Sequence, residues 1–400
     1  MKKNARSFAR LVFFEARKSY LNRWILLFLV LLLVVNGARL YSDYRDTVKR
    51  WDPYTEVYEE QYALYSGPIT EKKMSELDAV YLPLEAKLRT MTLSREYDPN
   101  AYTYSEAIDE LFFSTLFYQE MQYCAGYAEQ SERVSALASD AADFSGNIGN
   151  SAAERENQKL SALFSGRTVS DFVDTRPMLL LVNYRFSTML AVFLCLFGLC
   201  GVFVIERESD MVMLLKTSRR GGAETNAAKF TAALGFCLVV CLLFFLEDFL
   251  LLLSVSRLFE NLHRPIYALE QMKYSPLSIS CGSYLLFSAG IRTVGVLGCG
   301  CWFLLISSLC KNTYLSFVFG GCLTLLGSLA EPLSRSHLLL KWINPIELLD
   351  TAKLYSQSSY LSFFGLSLSR QTALLLGSLL FLLLLCTGIL FAVQSNRRRG

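Results

Sequence analysis

Few residues in this chain have the chemistry of a catalytic or metal-binding group. The 400 residues include eleven cysteines and two histidines, His263 and His337. The sequence contains no Cys-x-x-Cys pair, no Cys/His cluster with metal-binding spacing and no GxxxxGK[ST] phosphate loop. It suggests no Ser/His/Asp set either. We therefore predict that the chain is not an enzyme and that it uses no cofactor or metal ion.

Charged residues gather in one segment, 206–229, between two long apolar runs. The segment begins with acidic and basic residues, continues through an apolar stretch and a Gly-Gly pair, and ends at Lys229. We predict a short charged helix there that a soluble partner protein could bind. The alternative is that these charges only fix the membrane topology. The candidate contact residues are Glu206, Arg207, Glu208, Leu214, Leu215, Arg219 and Arg220.

A second group of charges, Glu247, Asp248 and Arg292, occurs inside apolar runs. A helix rises about 1.5 Å per residue, which places Glu247 about 27 Å from Lys229 and Arg292 about 28 Å from Lys311. Both distances are close to the thickness of the hydrocarbon layer, about 30 Å. The three charges are therefore predicted at one depth near the outer boundary, where opposite charges can pair as an outer latch. The alternative is three separately solvated boundary charges.

The elements that position these residues are apolar runs of membrane-spanning length. Hydrophobic residues make up 52% of the chain and charged residues 19%, which is less charge than a soluble domain normally carries. A membrane helix needs about 20 apolar residues. Six runs have about this length: Trp24–Leu40, Met178–Ile205, Thr231–Ser256, Ser283–Cys310, Thr313–Ala330 and Gln371–Val393. We therefore predict an all-α, polytopic membrane protein with six transmembrane helices.

Basic residues near the ends of the runs set the orientation. The first 23 residues contain seven Lys or Arg, and residues 206–229 and 397–399 add more. Six spans place all of these on one side, which the positive-inside rule identifies as the cytoplasm. Both termini are therefore predicted to lie inside a cell membrane.

The N-terminal 23 residues are predicted to form a cytoplasmic helix that lies in the membrane interface. Phe8, Leu11, Val12 and Tyr20 can share its apolar face. A basic tail that only anchors the topology is the alternative. The run that follows is predicted to be a retained first span, 24–41, rather than a cleaved signal peptide.

Residues 42–178 are predicted to form a helical extracytoplasmic domain between the first span and the five spans of residues 179–400. Thr70 can cap a helix that Pro83 bends or divides, and Ser105 can cap a long amphipathic helix. Twelve tyrosines fall in this region. We favour their packing between helices, with hydroxyls in water, over an aromatic substrate groove.

Three short motifs and the order of the elements carry a resemblance to a known family. The motifs are ERESDMVMLLKTSRRG…AK from residue 206, SSLCKNT ending at residue 313 and INPIELL ending at residue 349. With them, nearly the whole chain resembles the permease subunits of type-2 ABC exporters, in particular Gram-positive members with a large external domain. The proline that usually follows the leucine-rich stretch is missing here.

The resemblance implies a mechanism and partners. Two permease chains pair among the membrane lipids, and each binds a separate ATP-hydrolysing ABC subunit through segment 206–229 and the N-terminal helix. A peptide, lipid-like or drug-like substrate is then moved outward. The resemblance implies no nucleic-acid partner.

Two other classes of membrane protein were compared with the sequence, and one of them remains an alternative. An ion-coupled secondary transporter is disfavoured because the runs show no inverted repeat and no sign of broken helices with charges at the membrane centre. The alternative to export is a membrane-anchored sensor or scaffold whose external helical domain binds a ligand or partner. An ATPase that co-purifies with the chain would favour transport.

Overall fold

The computed structural model describes residues 2–47, 55–94, 104–209, 211, 223–333, 344–358, 360–363 and 366–399. The described part of the chain is 83% helical, in agreement with the all-α prediction. Two pairs of short antiparallel strands accompany the helices in the described ranges. Five stretches of helix are long and apolar enough to cross a membrane, which indicates a multi-pass membrane protein.

The first part of the chain supplies one membrane helix and a separate helical domain, residues 55–172. The helices are α1 (Lys2–Ser19), α2 (Arg23–Thr47), α3 (Thr55–Tyr65), α4 (Glu71–Ser94), α5 (Tyr104–Phe113), α6 (Gln119–Asn147) and α7 (Ser151–Phe164), with a π-helical turn at Ser114–Tyr118. Strand β1 (Gly67–Pro68) pairs with β2 (Asp171–Phe172) and so joins the start and the end of the helical domain.

The second part of the chain is mainly membrane helices with short outer segments. The helices are α8 (Arg176–Asn183), α9 (Phe186–Leu199), α10 (Ile205–Glu208), α11 (Ala223–Val255), α12 (Leu258–Asn261), α13 (Cys281–Leu309), α14 (Thr313–Leu333), α15 (Thr351–Tyr355) and α16 (Arg370–Arg399). Three 3-10 turns lie at Ile266–Ala268, Glu270–Met272 and Pro345–Leu349, and β3 (Tyr360–Phe363) pairs with β4 (Leu366–Ser369).

The five membrane-length stretches are α2, the pair α8–α9, α11, α13 and α16. Helix α14 is apolar over only Thr313–Leu329, which is short for a span. The described helices therefore establish five candidate spans, and the sixth remains a prediction.

Helix α1 packs against α11, not only against lipid. The ring of Tyr20, just after α1, stacks on Phe236 of α11 with centroids 4.4 Å apart and an angle of 10°. Glu15 is buried on the same side. Phe13 and Phe14 are about 60% exposed on the opposite side, where an apolar ring can enter the membrane interface.

The helical domain has an aromatic core. Tyr62, Tyr65, Phe117 and Phe172 are buried in one cluster, so the tyrosines do pack between helices. Their hydroxyl groups are not simply solvated: that of Tyr62, for example, donates a 2.5 Å hydrogen bond to a carboxylate. Buried phenols need such partners because an unpaired hydroxyl away from water is costly.

The local expectations in the helical domain have different outcomes. Thr70 does cap α4, accepting a 3.3 Å hydrogen bond from the amide of Lys73. Pro83 does not divide α4, which continues to Ser94. The predicted long helix forms as α5, the π-helical turn and α6 in direct succession, but α5 begins at Tyr104, so the prediction that Ser105 caps it is wrong.

The span predicted over Met178–Ile205 differs most from its prediction. The helix begins at Arg176, is interrupted at Tyr184 and Arg185, and ends at Leu199. The expectation of unbroken spans is therefore wrong at this position. By contrast α11 and α13 are continuous, so the depth assigned to Glu247 and Arg292 from residue counting is retained.

Candidate functional site

The two ends of the membrane helices carry separate polar clusters. The end near α1 is called the α1 end, and the end near the helical domain is called the domain end. Glu206, Arg207 and Glu208 lie at the α1 end, whereas Glu247, Asp248 and Arg292 lie at the domain end.

Glu206 and Lys229 form a buried ion pair at the α1 end. Both side chains are at least nine-tenths buried. The Lys229 ammonium also lies 6.0 Å from the centre of the Phe203 ring and 3.5 Å from the carbonyl oxygen of Val202. Glu206 is the first residue of segment 206–229 and Lys229 is the last. Their ion pair therefore holds the two ends of the segment together.

Arg207 and Glu208 extend this contact to the next two helices. The Arg207 guanidinium donates to the carbonyl oxygens of Ser308 and Cys310 at the end of α13, at 2.5 and 2.9 Å. The Glu208 carboxylate accepts from the amide and the hydroxyl of Thr313, at 2.8 and 2.9 Å. Charged groups here satisfy the backbone groups that helix ends leave without partners.

We call Glu206, Arg207, Glu208 and Lys229 the clamp. Burial lowers the pKa of Arg207, yet an arginine stays charged. The clamp connects α10 to the start of α11, the end of α13 and the start of α14, and α1 packs against α11 beside it. A force applied to segment 206–229 would therefore reach four helices.

The other predicted contact residues of this segment lie outside the described residues. They are Leu214, Leu215, Arg219 and Arg220. Their role as a contact for a partner stays a prediction.

Asn36 of α2 organises the cluster at the domain end. Its side chain is fully buried. Its amide nitrogen donates to Asp248 at 2.7 Å and to Glu247 at 3.0 Å, and its own oxygen accepts from the Tyr184 hydroxyl at 3.1 Å. Gly37 permits this approach, since a Cβ there would lie 3.1 Å from a Glu247 carboxylate oxygen.

Arg292 of α13 stabilises the helix interruption. Its guanidinium donates to the carbonyl oxygens of Tyr184 and Val182, at 2.8 and 2.9 Å, and to the Thr351 hydroxyl at 3.2 Å. An interrupted membrane helix exposes carbonyl groups that lipid cannot satisfy. A guanidinium with five donors is suited to that task.

The structure brings the three residues of the predicted latch to one region but not into direct contact. Arg292 is bound to carbonyl oxygens, and the ion pairs of the described residues include none between Arg292 and Glu247 or Asp248. The direct ion pair is corrected to a chain of hydrogen bonds through Asn36 and Tyr184. Asp248 and Arg292 also line one cavity of about 40 Å³, which is large enough for water.

The helical domain is fixed to the segment between α11 and α13, residues 256–280. The hydroxyls of Tyr123 and Tyr127 donate to carbonyl oxygens of residues 267 and 273, at 2.6 and 3.0 Å. Arg167 donates to the carbonyl of Ser275 at 3.1 Å, and its guanidinium lies 4.8 Å from the centre of the Tyr267 ring.

Contacts in the opposite direction complete this interface. Arg264 donates to the carbonyl of Asp171 at 2.7 Å, and Asn261 to that of Asp174 at the same distance. In the first direction, from the domain to the segment, Tyr62 also donates to Glu260. The domain and the membrane helices are therefore connected by many directed bonds, so that a displacement of either is passed to the other.

Two neighbouring cavities open at the domain end. Their volumes are about 320 and 510 Å³, and both are lined by Arg185, Lys353, Ser356 and Gln357. Arg185 forms a 2.6 Å ion pair with Asp350 at the wall of the first cavity. This size and mixture of polar and apolar walls can accept a small amphiphilic molecule.

Sequence reasoning missed the residues that connect each cluster. Asn36 is a polar amide in the apolar run of α2, and a polar residue inside a span is the signal that could have identified it. Tyr184 gave no signal, because its part depends on an interruption of the helix. Lys229 was recognised only as the end of a charged segment.

No protein-family model matches the chain, and no curated protein matches it significantly.

Proposed function

We propose that the chain is the permease subunit of an ATP-driven type-2 ABC exporter that pairs with a second permease chain and a separate ATPase. The α1 end is the cytoplasmic end, α14 is the fifth of six spans, and both termini lie inside the cell. The observation that carries the proposal is the clamp: segment 206–229 is connected to four helices where the resemblance assigns ATPase binding.

The clamp supports the proposal because an external motor must act on a stiff element. Glu206 and Arg207 are occupied within the chain, so they transmit force and do not supply the docking surface. The docking surface is then the remainder of the segment, including Leu214, Leu215, Arg219 and Arg220. The substrate class that fits the domain-end cavities is an amphiphile of peptide, lipid-like or drug-like type.

Affinity purification in mild detergent tests the proposal. The full-length tagged chain, expressed in its native host, should co-purify an ATPase subunit in comparable amount. The double variant Arg219→Ala/Arg220→Ala should lose most of that subunit without a change in its own thermal unfolding. A chain that purifies folded but without any ATPase would contradict export.

A matched control is available at the domain end. The double variant Arg39→Ala/Arg45→Ala also removes two arginines, and both side chains are more than 60% exposed. It should retain the ATPase. Equal loss in both double variants would indicate a general effect of charge and not a docking contact.

Labelling with a membrane-impermeant maleimide tests the orientation. Ser139→Cys, exposed on α6, should react in intact cells, and Lys18→Cys, exposed on α1, should react only after permeabilisation. Native Cys124 is 1% exposed and should stay silent. The reverse pattern would place the helical domain inside the cell.

A sensor or scaffold is the second candidate function, and the interface between the helical domain and residues 256–280 favours it. A ligand that displaced Tyr123 or Arg167 would act directly on α11 and α13. A purified chain that recruits a kinase, and no ATPase, would support this candidate.

A further inference from the structure

Helix α6 carries an apolar stripe that faces away from the rest of the domain. The stripe consists of Val134, Leu137, Ala141 and Phe144 of α6 together with Ile148, the residue that follows its last turn. Leu137, Phe144 and Ile148 are 69%, 65% and 61% exposed. The spacing of three and four residues is that of the a and d positions in a coiled coil. Large apolar side chains repeated in this way on a domain surface mark a contact with another helix.

The flanks of the stripe restrict the partner. On one flank Ser131, Ala138 and Ser145 are buried beside α7. On the other flank Arg133, Asp140 and Asn147 are exposed. A partner helix can therefore approach over the stripe and this second flank only.

The charges of the exposed flank are complementary across an antiparallel pair, in which Arg133 would exchange or share its exposed ion pair with Glu129 of the same helix. Arg133 and Asp140 lie seven residues apart, two turns along one side of the helix. When two copies of α6 lie antiparallel, equivalent flanks face each other. If the midpoint of the pair lies between residues 136 and 137, Arg133 of each copy is opposite Asp140 of the other. A parallel pair would place this flank against the one that α7 already covers.

We propose that α6 pairs with α6 of a second copy of this chain, antiparallel and centred near Leu137. A lipid surface fits less well, because the flank beside the stripe carries Glu129 and Asp140 against one basic residue, Arg133, and its net negative charge repels anionic headgroups. This contact specifies one interface for the pairing of two chains in the proposed function. It requires neither an ATPase nor transport, so its failure is distinguishable from theirs.

The size of the stripe suits two chains held in one membrane. Two heptads are about 21 Å long, which is smaller than the stable interfaces that bury roughly 800 Å² on each partner. Membrane helices that already associate raise the effective concentration of α6, so a weak contact is occupied.

Cysteine cross-linking of the full-length chain in its native membrane tests the proposal. Leu137→Cys should form a disulfide-linked dimer under a mild impermeant oxidant. Phe144→Cys should not, because antiparallel pairing separates the two copies of residue 144 by about 22 Å. The unchanged chain is the control, since Cys124 and Cys281 are buried. Cross-linking at both positions would overturn the antiparallel pairing, and a folded chain that cross-links at neither would overturn the contact itself.

Charge exchange supplies an independent test. In the Leu137→Cys background, Arg133→Asp should lower the dimer yield several-fold, because each new aspartate then faces Asp140 of the other copy. Adding Asp140→Arg should restore the yield. Asp143→Arg, exposed on α6 but outside the exposed flank, is the matched control and should leave the yield unchanged. An equal yield in all four proteins would overturn the proposed register.

Discussion

The two ends of the membrane helices are held by different kinds of contact. At the α1 end, charged side chains meet each other or backbone carbonyls directly, as Glu206 meets Lys229 and Arg207 meets the end of α13. At the domain end, neutral groups separate the charges of α11 from Arg292, with Asn36 between two carboxylates and Tyr184 linking them to the guanidinium; a direct ion pair there, Arg185 with Asp350, is half-exposed at a cavity wall. Cavities of about 40, 320 and 510 Å³ occur beside these groups at the domain end.

This difference assigns different mechanical properties to the two ends. Direct, buried charge contacts lose much free energy when they are stretched. A network of single hydrogen bonds beside cavities can exchange partners at lower cost, because water can replace a donor. We therefore expect the α1 end to move as one body and the domain end to rearrange.

The largest effect is expected from breaking the clamp. Lys229→Met leaves Glu206 as a buried carboxylate without its cation, which costs about 3 to 5 kcal/mol. The thermal unfolding midpoint of the detergent-purified chain should fall sharply. The double variant Glu206→Gln/Lys229→Met removes both charges and should recover most of the loss. A single variant as stable as the original chain would show that the pair is solvated.

A smaller effect is expected from the centre of the domain-end network. Asn36→Ala removes the donor shared by Glu247 and Asp248 and should cost about 2 to 3 kcal/mol. Asn183→Ala is the matched control: its amide also donates two hydrogen bonds but is exposed, so its effect should stay within about 0.5 kcal/mol. In a double-mutant cycle, Asp248→Asn should reduce the cost of Asn36→Ala. Additive effects would contradict a shared network.

The same contrast explains how much the sequence could predict. Apolar runs and helix caps are local signals, and they gave the helical class, five of the spans and the start of α4 at Thr70. The break at Tyr184 depends on a guanidinium 108 residues away, so no pattern near the break reveals it. Asn183 and Arg185 do interrupt the hydrophobic run there, but a continuous helix with boundary charges would give the same pattern.

The candidate site was predictable in part for the same reason. Charges inside or beside apolar runs can be recognised in the sequence, and Glu206, Arg207, Asp248 and Arg292 were identified in this way. Their partners were not, because each charge is satisfied by a group on another helix. Asn36, 212 residues from Asp248, is the group that turns a predicted ion pair into a network.

The interface of the helical domain adds a pH-dependent effect of about 3 kcal/mol, similar in size to the effect expected at Asn36. Burial raises the pKa of Glu120 from 4.5 to about 7. The folded chain therefore binds a proton that the unfolded chain has already lost, and stability should fall as the pH rises from 4.5 through 7. Glu120→Gln should remove this dependence and raise the unfolding midpoint at pH 8. Glu129→Gln, exposed on the same helix, should change neither; a Glu120→Gln profile that matches the original chain would contradict the buried carboxyl.

The smallest effect should come from the edge of the clamp. Glu208 caps α14 from another part of the chain, and loss of a helix cap costs about 1 kcal/mol. Glu208→Ala should therefore lower the unfolding midpoint only slightly but increase amide hydrogen exchange in the first turn of α14, where the Thr313 amide loses its acceptor. Glu208→Gln keeps an acceptor oxygen and should exchange more slowly than Glu208→Ala. Glu224→Ala, an exposed acidic residue in the first turn of α11, tests whether charge near a helix start is enough; it should leave α14 unaffected. If the amides of α14 exchanged equally in the Ala and Gln variants, the carboxylate would not act as its cap. Glu208 would then not belong to the clamp.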